Sequence, residues 1–390
     1  MPKFSMTQLL MAMALIAILL VLLRSDRISG RYATIESLCF SSDGSRLIVS
    51  KLTARDAEVP LKMSKTDIKK TLSSIDVASK VPTCTVLHGL NLDTSGFATQ
   101  MWPKGRRSVA SFSGNGVAIG SFNSNTLLTV SDNSKPTTAV LSHPANYVVA
   151  AKSSDLIAVS GGGKFTVLDA KSKNEKLGGT RPNKVFLWST PMAFSEDGGA
   201  LYVSNDTGID RWDLESGQKA VVMGSPYLVE DMNTFTGIAT GPENSLVVCG
   251  NKWVRLYDEK GDLLSDLLPR GCSLCDSSVG GKHLVVANYD HVACFRMNDR
   301  SLRHEIVMDQ ISALAISPDG KHVAVGGEGG FVSLYDFETG KQIWKVQPQG
   351  RLRLVWPIPF GFLLLWFIAA VMLFRRWNRS RPPQVEVTPQ

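Results

Sequence analysis

The sequence lacks the short motifs that mark common catalytic sites. Its 390 residues contain no Gly-x-Ser-x-Gly nucleophile elbow, no Walker-type phosphate loop, no His-Glu-x-x-His zinc motif and no calcium-loop pattern. The six histidines are scattered singly along the chain. We therefore expect no catalytic constellation, no metal and no cofactor, and we predict that the protein is not an enzyme.

Charged side chains are also sparse, at 20% of the chain, and the basic excess is confined to its two ends. Residues 1–31 and 351–390 carry ten Lys and Arg side chains against two acidic ones, a net charge of +8. Because the whole chain has a net charge of +7, residues 32–350 are left at −1. A near-neutral domain lacks the basic face that nucleic-acid binding requires, so we do not expect nucleic acid as a partner.

The N-terminal segment has no charge between Lys3 and Arg24, and the run Leu9–Leu23 is entirely apolar. About 20 uncharged residues are enough for a helix to cross a hydrocarbon core of ~30 Å. A cleaved signal peptide has a similar apolar region, but no small-residue cleavage site follows Leu23. We therefore favour a retained anchor helix with a juxtamembrane linker over residues 1–31.

A second uncharged run, Leu354–Phe374, lies near the C-terminus, with Trp356 and Trp377 at its two ends. A run this long that is apolar on every side is typical of a spanning helix, and tryptophan favours the membrane interface. The sequence therefore predicts a transmembrane helix within residues 351–377. The basic, Pro-rich tail 378–390 is expected to be disordered.

Four arginines follow the second run, and they predict the orientation of the chain. They are Arg375, Arg376, Arg379 and Arg381. Positive residues favour the cytoplasmic side, so both termini are expected in the cytoplasm and residues 32–350 on the exoplasmic side, periplasmic or extracellular. Five further arginines oppose this orientation because they fall on the other side of the two runs; they are Arg24, Arg27, Arg31, Arg351 and Arg353.

The middle of the chain is built of repeats. The clearest unit, Ile311–Val346, contains four short runs separated by the turn sequences Pro-Asp-Gly, Glu-Gly-Gly and Glu-Thr-Gly. Six other segments follow the same order of runs and turns. The first turns of the seven units fall at Ser42, Pro103, Ser154, Glu196, Pro242, Ser278 and Pro318.

Seven units spaced about 46 residues apart indicate a β-propeller. A unit of four antiparallel strands cannot bury both of its faces alone, and radial stacking around an axis solves this problem. A β-sandwich or two smaller β domains would not require a fixed order and spacing over seven units. We predict an all-β, seven-bladed propeller of four-stranded antiparallel blades over residues 32–350, flanked by the two membrane helices.

Two stretches, Ser195–Gln218 and Ser317–Lys341, resemble WD40 repeats. Each stretch contains the dipeptide that names the family or a variant of it: Trp212-Asp213 in the first and Tyr335-Asp336 in the second. The family's Gly-His dipeptide is absent. The resemblance implies that Ser204, Asp206 and Trp212 keep part of the hydrogen-bond set that holds such a blade together.

The segment Lys51–Lys70 interrupts the first unit and carries six basic side chains against three acidic ones. The basic residues are Lys51, Arg55, Lys62, Lys65, Lys69 and Lys70. Long loops on a rigid scaffold are frequent recognition sites, so the segment is a candidate interaction loop. A solvated loop with no target is the alternative.

Cys272 and Cys275 are the closest pair among six cysteines. A labile disulfide, a metal site and plain burial all remain open for them, although no second Cys or His pair stands nearby to complete a zinc site.

These observations predict a membrane-tethered, WD40-like propeller that acts as a non-catalytic interaction or scaffold module. Its partner would be a protein or peptide bound on an open face of the propeller, and its oligomeric state stays open. The alternative is a propeller enzyme or a quinone-dependent redox protein with its site in the central channel. The run Thr339–Trp344 resembles a quinoprotein-type repeat.

Overall fold

A computed structural model of the chain describes residues 33–54, 68–78, 84–92, 109–112, 116–120, 124–130, 136–180, 190–205, 208–224, 235–327 and 329–347. The predicted membrane segments, 1–31 and 351–377, and the tail 378–390 lie outside these residues. Among the residues that the structure describes, no helix is long and apolar enough to cross a bilayer.

The described residues form seven sheets, and each sheet uses four consecutive strands that pair antiparallel. Blades 1 to 4 contain β1 (Ala33–Phe40), β2 (Arg46–Ala54), β3 (Ile68–Asp76) and β4 (Cys84–Leu92); β5 (Val109–Phe112), β6 (Gly116–Ile119), β7 (Thr126–Val130) and β8 (Thr137–Val140); β9 (Tyr147–Ala150), β10 (Leu156–Gly161), β11 (Lys164–Asp169) and β12 (Glu175–Thr180); β13 (Met192–Phe194), β14 (Ala200–Asn205), β15 (Gly208–Asp213) and β16 (Lys219–Gly224). Blades 5 to 7 contain β17 (Phe235–Thr240), β18 (Leu246–Gly250), β19 (Val254–Tyr257) and β20 (Leu263–Leu268); β21 (Leu274–Ser277), β22 (His283–Ala287), β23 (His291–Arg296) and β24 (Ser301–Val307); β25 (Ile311–Ile316), β26 (His322–Gly327), β27 (Val332–Asp336) and β28 (Gln342–Val346). Two short 3₁₀ turns, Pro242–Asn244 and Val279–Gly281, follow β17 and β21.

The blades form a closed ring. The first strand of each blade lies beside the first strand of the next, and β25 of blade 7 lies beside β1 of blade 1. First strands therefore surround the axis, and fourth strands such as β8 and β12 form the exposed rim. The prediction of an all-β, seven-bladed propeller with four-stranded antiparallel blades is confirmed.

The core lies between the blades, because successive side chains of a strand point to opposite faces of its sheet. Val323 and Val325 of β26 pack into the cluster shared with blade 6, whereas Ala324 between them packs into the cluster shared with blade 1. In the same way, Val285 of β22 faces blade 7 and Leu284 faces blade 5. Inner strands are therefore apolar at nearly every position instead of alternating with polar residues.

Blades 1 and 7 each consist of four consecutive strands. Packing of side chains between these two blades, and not an exchanged strand, therefore closes the ring. Ile35 of β1 shares one buried cluster with Val332 and Trp344 of blade 7. Hydrogen bonds cross the same boundary: the Gly329 N–H donates to the Ala33 carbonyl at 2.7 Å, Ser312 Oγ donates to the Ile35 carbonyl at 2.7 Å, and Thr34 Oγ1 donates to Ser312 Oγ at 3.3 Å.

Each blade has four strands that alternate in direction, so the chain enters and leaves every blade on the same face of the ring. Connections between second and third strands, and between blades, lie on one face, where β1 begins and β28 ends. We call this the entry face. Turns between first and second strands, and between third and fourth strands, lie on the opposite face, which we call the far face.

The first turn of blade 2 was predicted at Pro103, and this position is wrong. β5 ends at Phe112 and β6 begins at Gly116, so residues 113–115 connect the first two strands of blade 2, while Pro103 precedes β5 and lies outside the described residues. The sequence Ser113-Gly114-Asn115-Gly116 is itself a turn signal, but Pro103 begins a similar run of turn-forming residues. The first turns of blades 1 and 2 are therefore farther apart in the sequence than the repeat alignment assumed.

We expect Ile35→Ala to lower the free energy of unfolding by about 2–5 kcal/mol, because it leaves a cavity at the boundary that closes the ring. Ile343→Ala, on the rim strand β28, is the matched control, since Ile343 is 47% exposed. The control should change stability by no more than about 0.5 kcal/mol. Denaturant titration of the full chain in detergent, followed by circular dichroism, measures both; equal effects would contradict this account of closure.

Candidate functional site

In three blades, a serine and an aspartate two residues later organise the far-face turn between the first two strands. The serine Oγ donates to the carboxylate, and it accepts a hydrogen bond from the backbone N–H five residues after it. The pairs are Ser41–Asp43, Ser195–Asp197 and Ser317–Asp319, with O···O distances of 2.5, 2.5 and 2.6 Å. The backbone donors are Arg46, Ala200 and His322, at 2.9, 2.8 and 2.9 Å.

The residue after each of these aspartates is a glycine in the left-handed region, with φ between +73° and +76°. Side chains other than glycine are strained there, which explains the repeated Ser-x-Asp-Gly pattern. The hydrogen bond from Ser41 is the main cause that lowers the pKa of Asp43, and Ser195 does the same for Asp197. These carboxylates are thus held ionised by the fold of the turn.

Asp213 and Asp336, which the WD40 resemblance singled out, organise the second set of far-face turns. Asp213 Oδ1 accepts hydrogen bonds from the N–H and Oγ of Ser216 at 2.8 and 2.7 Å. Asp336 Oδ1 accepts the same two bonds from Thr339, also at 2.8 and 2.7 Å. The preceding residues, Trp212 and Tyr335, lie within the third strands β15 and β27.

Ser204 is not hydrogen-bonded to Trp212, and Asp206, the third residue of the set that the resemblance implied, lies outside the described residues. Ser204 is fully buried in β14, and its Oγ has no hydrogen-bond partner among the described residues, which do not include Asp206. Trp212 packs edge-on against Phe165 of blade 3, with the ring centroids 5.2 Å apart. Blade 4 is therefore joined to its neighbour through an aromatic contact at this position.

The central channel widens into a cavity of about 150 Å³ toward the far face. First strands and far-face turns of blades 3 to 6 supply its wall. Its polar lining includes Lys152, Ser195, Glu196, Thr240, Asp276 and Ser278. The mixture of one amine, two carboxylates and several hydroxyl groups suits a polar ligand or a peptide side chain.

Lys152 reaches across the mouth of this cavity from blade 3 to blade 6. Its Nζ donates to Ser277 Oγ and to the Ser278 carbonyl, both at 3.1 Å, and also to the Ser277 carbonyl. Beside it, Asp276 Oδ2 accepts from the Ile316 N–H of blade 7 at 3.0 Å. Because blades 3 and 6 lie on opposite sides of the ring, these bonds fix the width of the channel at the far face.

The structure places part of the candidate interaction loop inside blade 1. Lys51 is only 7% exposed within β2, and its side chain lies close to Gly330 of blade 7. Lys69 and Lys70 belong to β3, where they pair with Thr53 and Leu52 of β2. Arg55, Lys62 and Lys65 lie outside the described residues. The segment leaves β2 and returns to β3 on the entry face.

Cys272 and Cys275 are thiols, and both are buried in one cluster with Cys249 between blades 5 and 6. Burial is the main cause that raises the pKa of Cys272. Within the described ranges, no group of three or more His, Cys, Asp or Glu side chains could hold a metal ion. Of the three options that the sequence left open for this pair, the structure shows burial.

No family model matches the sequence. The class of protein is therefore defined by the fold, a seven-bladed β-propeller of four-stranded antiparallel blades. A rigid ring with two open faces and a channel is compatible with an interaction or scaffold role.

Of two features of the far face, one can be recognised from the sequence and the other cannot. The Ser-x-Asp-Gly turns are a local signal that occurs three times, at Ser41, Ser195 and Ser317, and a search for that pattern would have found them. Lys152 had no such signal, because its partners lie about 125 residues further along the chain.

Ser195→Ala should lower the free energy of unfolding by about 1–2 kcal/mol, because it removes the hydroxyl that bonds Asp197 and the Ala200 N–H. Ser204→Ala, in the same blade, should change it by no more than about 0.5 kcal/mol, because this buried hydroxyl makes no hydrogen bond with the described residues. Denaturant titration of the full chain compares the two variants. A larger loss for Ser204→Ala would contradict the hydrogen-bond assignment.

We expect the thermal midpoint to fall as the pH drops below about 4. The turn hydrogen bonds lower the pKa of Asp43, Asp197 and Asp336 in the folded chain below the ordinary value of 3.8. Their contribution is therefore complete above pH 3.8 and is lost as the pH falls toward the lowered values. Thermal scans from pH 6 to pH 2.5 should show a flatter dependence for Asp197→Asn with Asp336→Asn, and an equal slope would contradict this origin.

Proposed function

We propose that the protein is a membrane-tethered, WD40-like propeller that binds a protein or peptide partner on its far face and performs no chemistry itself. One observation carries this proposal: both described chain ends lie on the entry face, while the polar cavity of the channel lies toward the far face. A tether at one face leaves the other accessible, and the far face is the one that offers a shaped, polar recess.

The sequence supports the tether through its two uncharged runs. Leu23 and Ala33 are 10 positions apart in the sequence, and Gln347 and Leu354 are 7 positions apart. At roughly 3.5 Å per residue these connections reach at most ~35 and ~25 Å, so spanning helices would keep the propeller near the bilayer. The arginines after Phe374 favour cytoplasmic termini and an exoplasmic propeller.

The kinship with WD40 repeats is supported by the two sets of far-face turns. Asp213 and Asp336 act in equivalent ways in blades 4 and 7, the two blades whose sequences carry the resemblance. The Ser-x-Asp-Gly turns occur in both blades and also in blade 1.

The cavity suits recognition because its walls are rigid and its chemistry is mixed. Lys152 is fixed by three acceptors, and the Glu196 N–H donates to Asn244 Oδ1 of blade 5 at 3.3 Å. Val279 adds an apolar side chain beside the cavity that is 49% exposed. A preorganised recess of this kind lowers the entropy cost of binding.

The partner proposal is tested with affinity-tagged full chain and detergent-solubilised native membranes. We expect a specific protein to be captured by the parent and by Val221→Asp, but to be lost with Val279→Asp. Val221 lies on the rim strand β16 and is 65% exposed, so it matches Val279 in exposure but not in location. Charge at the far face should disrupt an apolar contact there.

Capture that is unaffected by Val279→Asp would overturn far-face binding, and the absence of any captured protein would overturn the scaffold role. Turnover of a substrate by the purified full chain would favour the enzyme alternative. Protease treatment of sealed vesicles tests the orientation, and digestion of the propeller only from the cytoplasmic side would contradict it.

A further inference from the structure

Three large apolar side chains are exposed on the entry face at blades 6 and 7. Tyr289, in the turn between β22 and β23, is 41% exposed; Val307, at the end of β24, is 70% exposed; and Phe331, in the turn before β27, is 39% exposed. Exposed apolar side chains that occur together, unlike single ones, indicate a contact surface.

A chain of contacts joins these three positions into one surface. Val307 pairs with His291, two residues after Tyr289. The Ile311 N–H donates to the Tyr289 carbonyl at 2.8 Å, which holds the connection 308–310 beside the blade 6 turn. That connection lies against Gly327, whose N–H donates to the Phe331 carbonyl at 3.1 Å.

The same surface adjoins the places where the chain enters and leaves the propeller. The Gly329 N–H donates to the carbonyl of Ala33, the first described residue, at 2.7 Å. Gln347 Nε2, in the last described residue, donates to the Gly329 carbonyl at 2.9 Å. Phe331 is two residues beyond Gly329, so the turn that presents its ring touches both ends of the described chain.

The charge around Phe331 has the pattern of a membrane interface. Lys345 Nζ lies 5.0 Å from the centroid of the Phe331 ring. Aromatic rings and lysines with long apolar stems both favour the boundary between headgroups and acyl chains. Asp290, whose Oδ1 lies 2.7 Å from His291 Nδ1, and the exposed Asp309 flank the surface, so an attraction specific to acidic lipids is not expected.

The occupant follows from the chain beyond the described residues. The uncharged runs Leu9–Leu23 and Leu354–Phe374 lie within about 10 residues of Ala33 and Gln347. We propose that Tyr289, Val307 and Phe331 form a lipid-docking surface that rests on the bilayer crossed by these runs. This inference depends on the membrane tether proposed above, and it adds which residues of the entry face meet the lipid.

The experiment measures how near each position is to the lipid, with the full chain reconstituted into phosphatidylcholine vesicles. Single variants Tyr289→Cys, Phe331→Cys and Val279→Cys are labelled with a fluorescent probe, and the labelled parent gives the background from its own cysteines. Val279 is the matched control, because it is 49% exposed on the far face. A nitroxide-bearing lipid then quenches probes that lie at the membrane.

We expect quenching at positions 289 and 331 to exceed that at 279 by about twofold or more. A water-soluble quencher should show the opposite order. Circular dichroism confirms that all three variants keep the strand signal of the parent, which is expected because each position is exposed.

The outcomes separate the two proposals. If the chain does not float with the vesicles in a density gradient, the tether itself fails. If it floats but positions 289 and 331 are quenched no more than 279, the tether stands and the docking surface is overturned. Protection of both positions from the water-soluble quencher without lipid quenching would indicate a protein occupant, such as a second copy, and would also overturn lipid docking.

Discussion

The structure depends on one constraint: a four-stranded blade with two apolar faces can bury them only against other blades. Val323, Ala324 and Val325 show this within three residues of β26, because they face alternately toward blade 6 and blade 1. Burial of a valine side chain contributes about 1.5–3 kcal/mol, and each blade interface contains many buried apolar side chains. A linear stack would leave two apolar faces in water, so the chain gains most when the last blade meets the first. The interface between blades 7 and 1, which closes the ring, is therefore also part of the apolar core.

The polar far-face turns hold the strands in the register that this apolar core requires. Ser41, Ser195 and Ser317 each tie one carboxylate and one backbone N–H, so that the chain reverses tightly between the first two strands. Tight reversal holds the strands in the register that sends alternate residues to the two blade interfaces. A one-residue slip would send each apolar set to the wrong neighbour. The turns thus specify how the blades pack, even though the aspartates that their serines bond are exposed.

Local patterns explain why the fold could be predicted and why several details of the site could not. The number of blades and the order of strands can be predicted because turn sequences such as Pro318–Gly320 recur along the chain. The buried Lys51 looked like part of a solvated loop, because its neighbours are polar and its contact with Gly330 comes from ring closure. The role of Lys152 could not be predicted for the same reason, since the residues to which it hydrogen-bonds belong to blade 6, across the axis from blade 3. Contacts that the ring creates between distant segments leave no trace in the sequence near either partner.

The parity of the blade has a functional consequence. With four strands per blade and no strand exchanged between blades, the chain returns to the entry face after every blade, whatever their number. Both ends must then leave from one face, and a chain tethered at both ends cannot present that face to a large soluble partner. The opposite face carries the channel mouth, where Lys152 fixes the width and Glu196 and Asp276 supply the charge. The two proposals, recognition at the far face and lipid contact at the entry face, both rest on this topology together with the proposed tether at both ends; a tether at one end only would not impose this division.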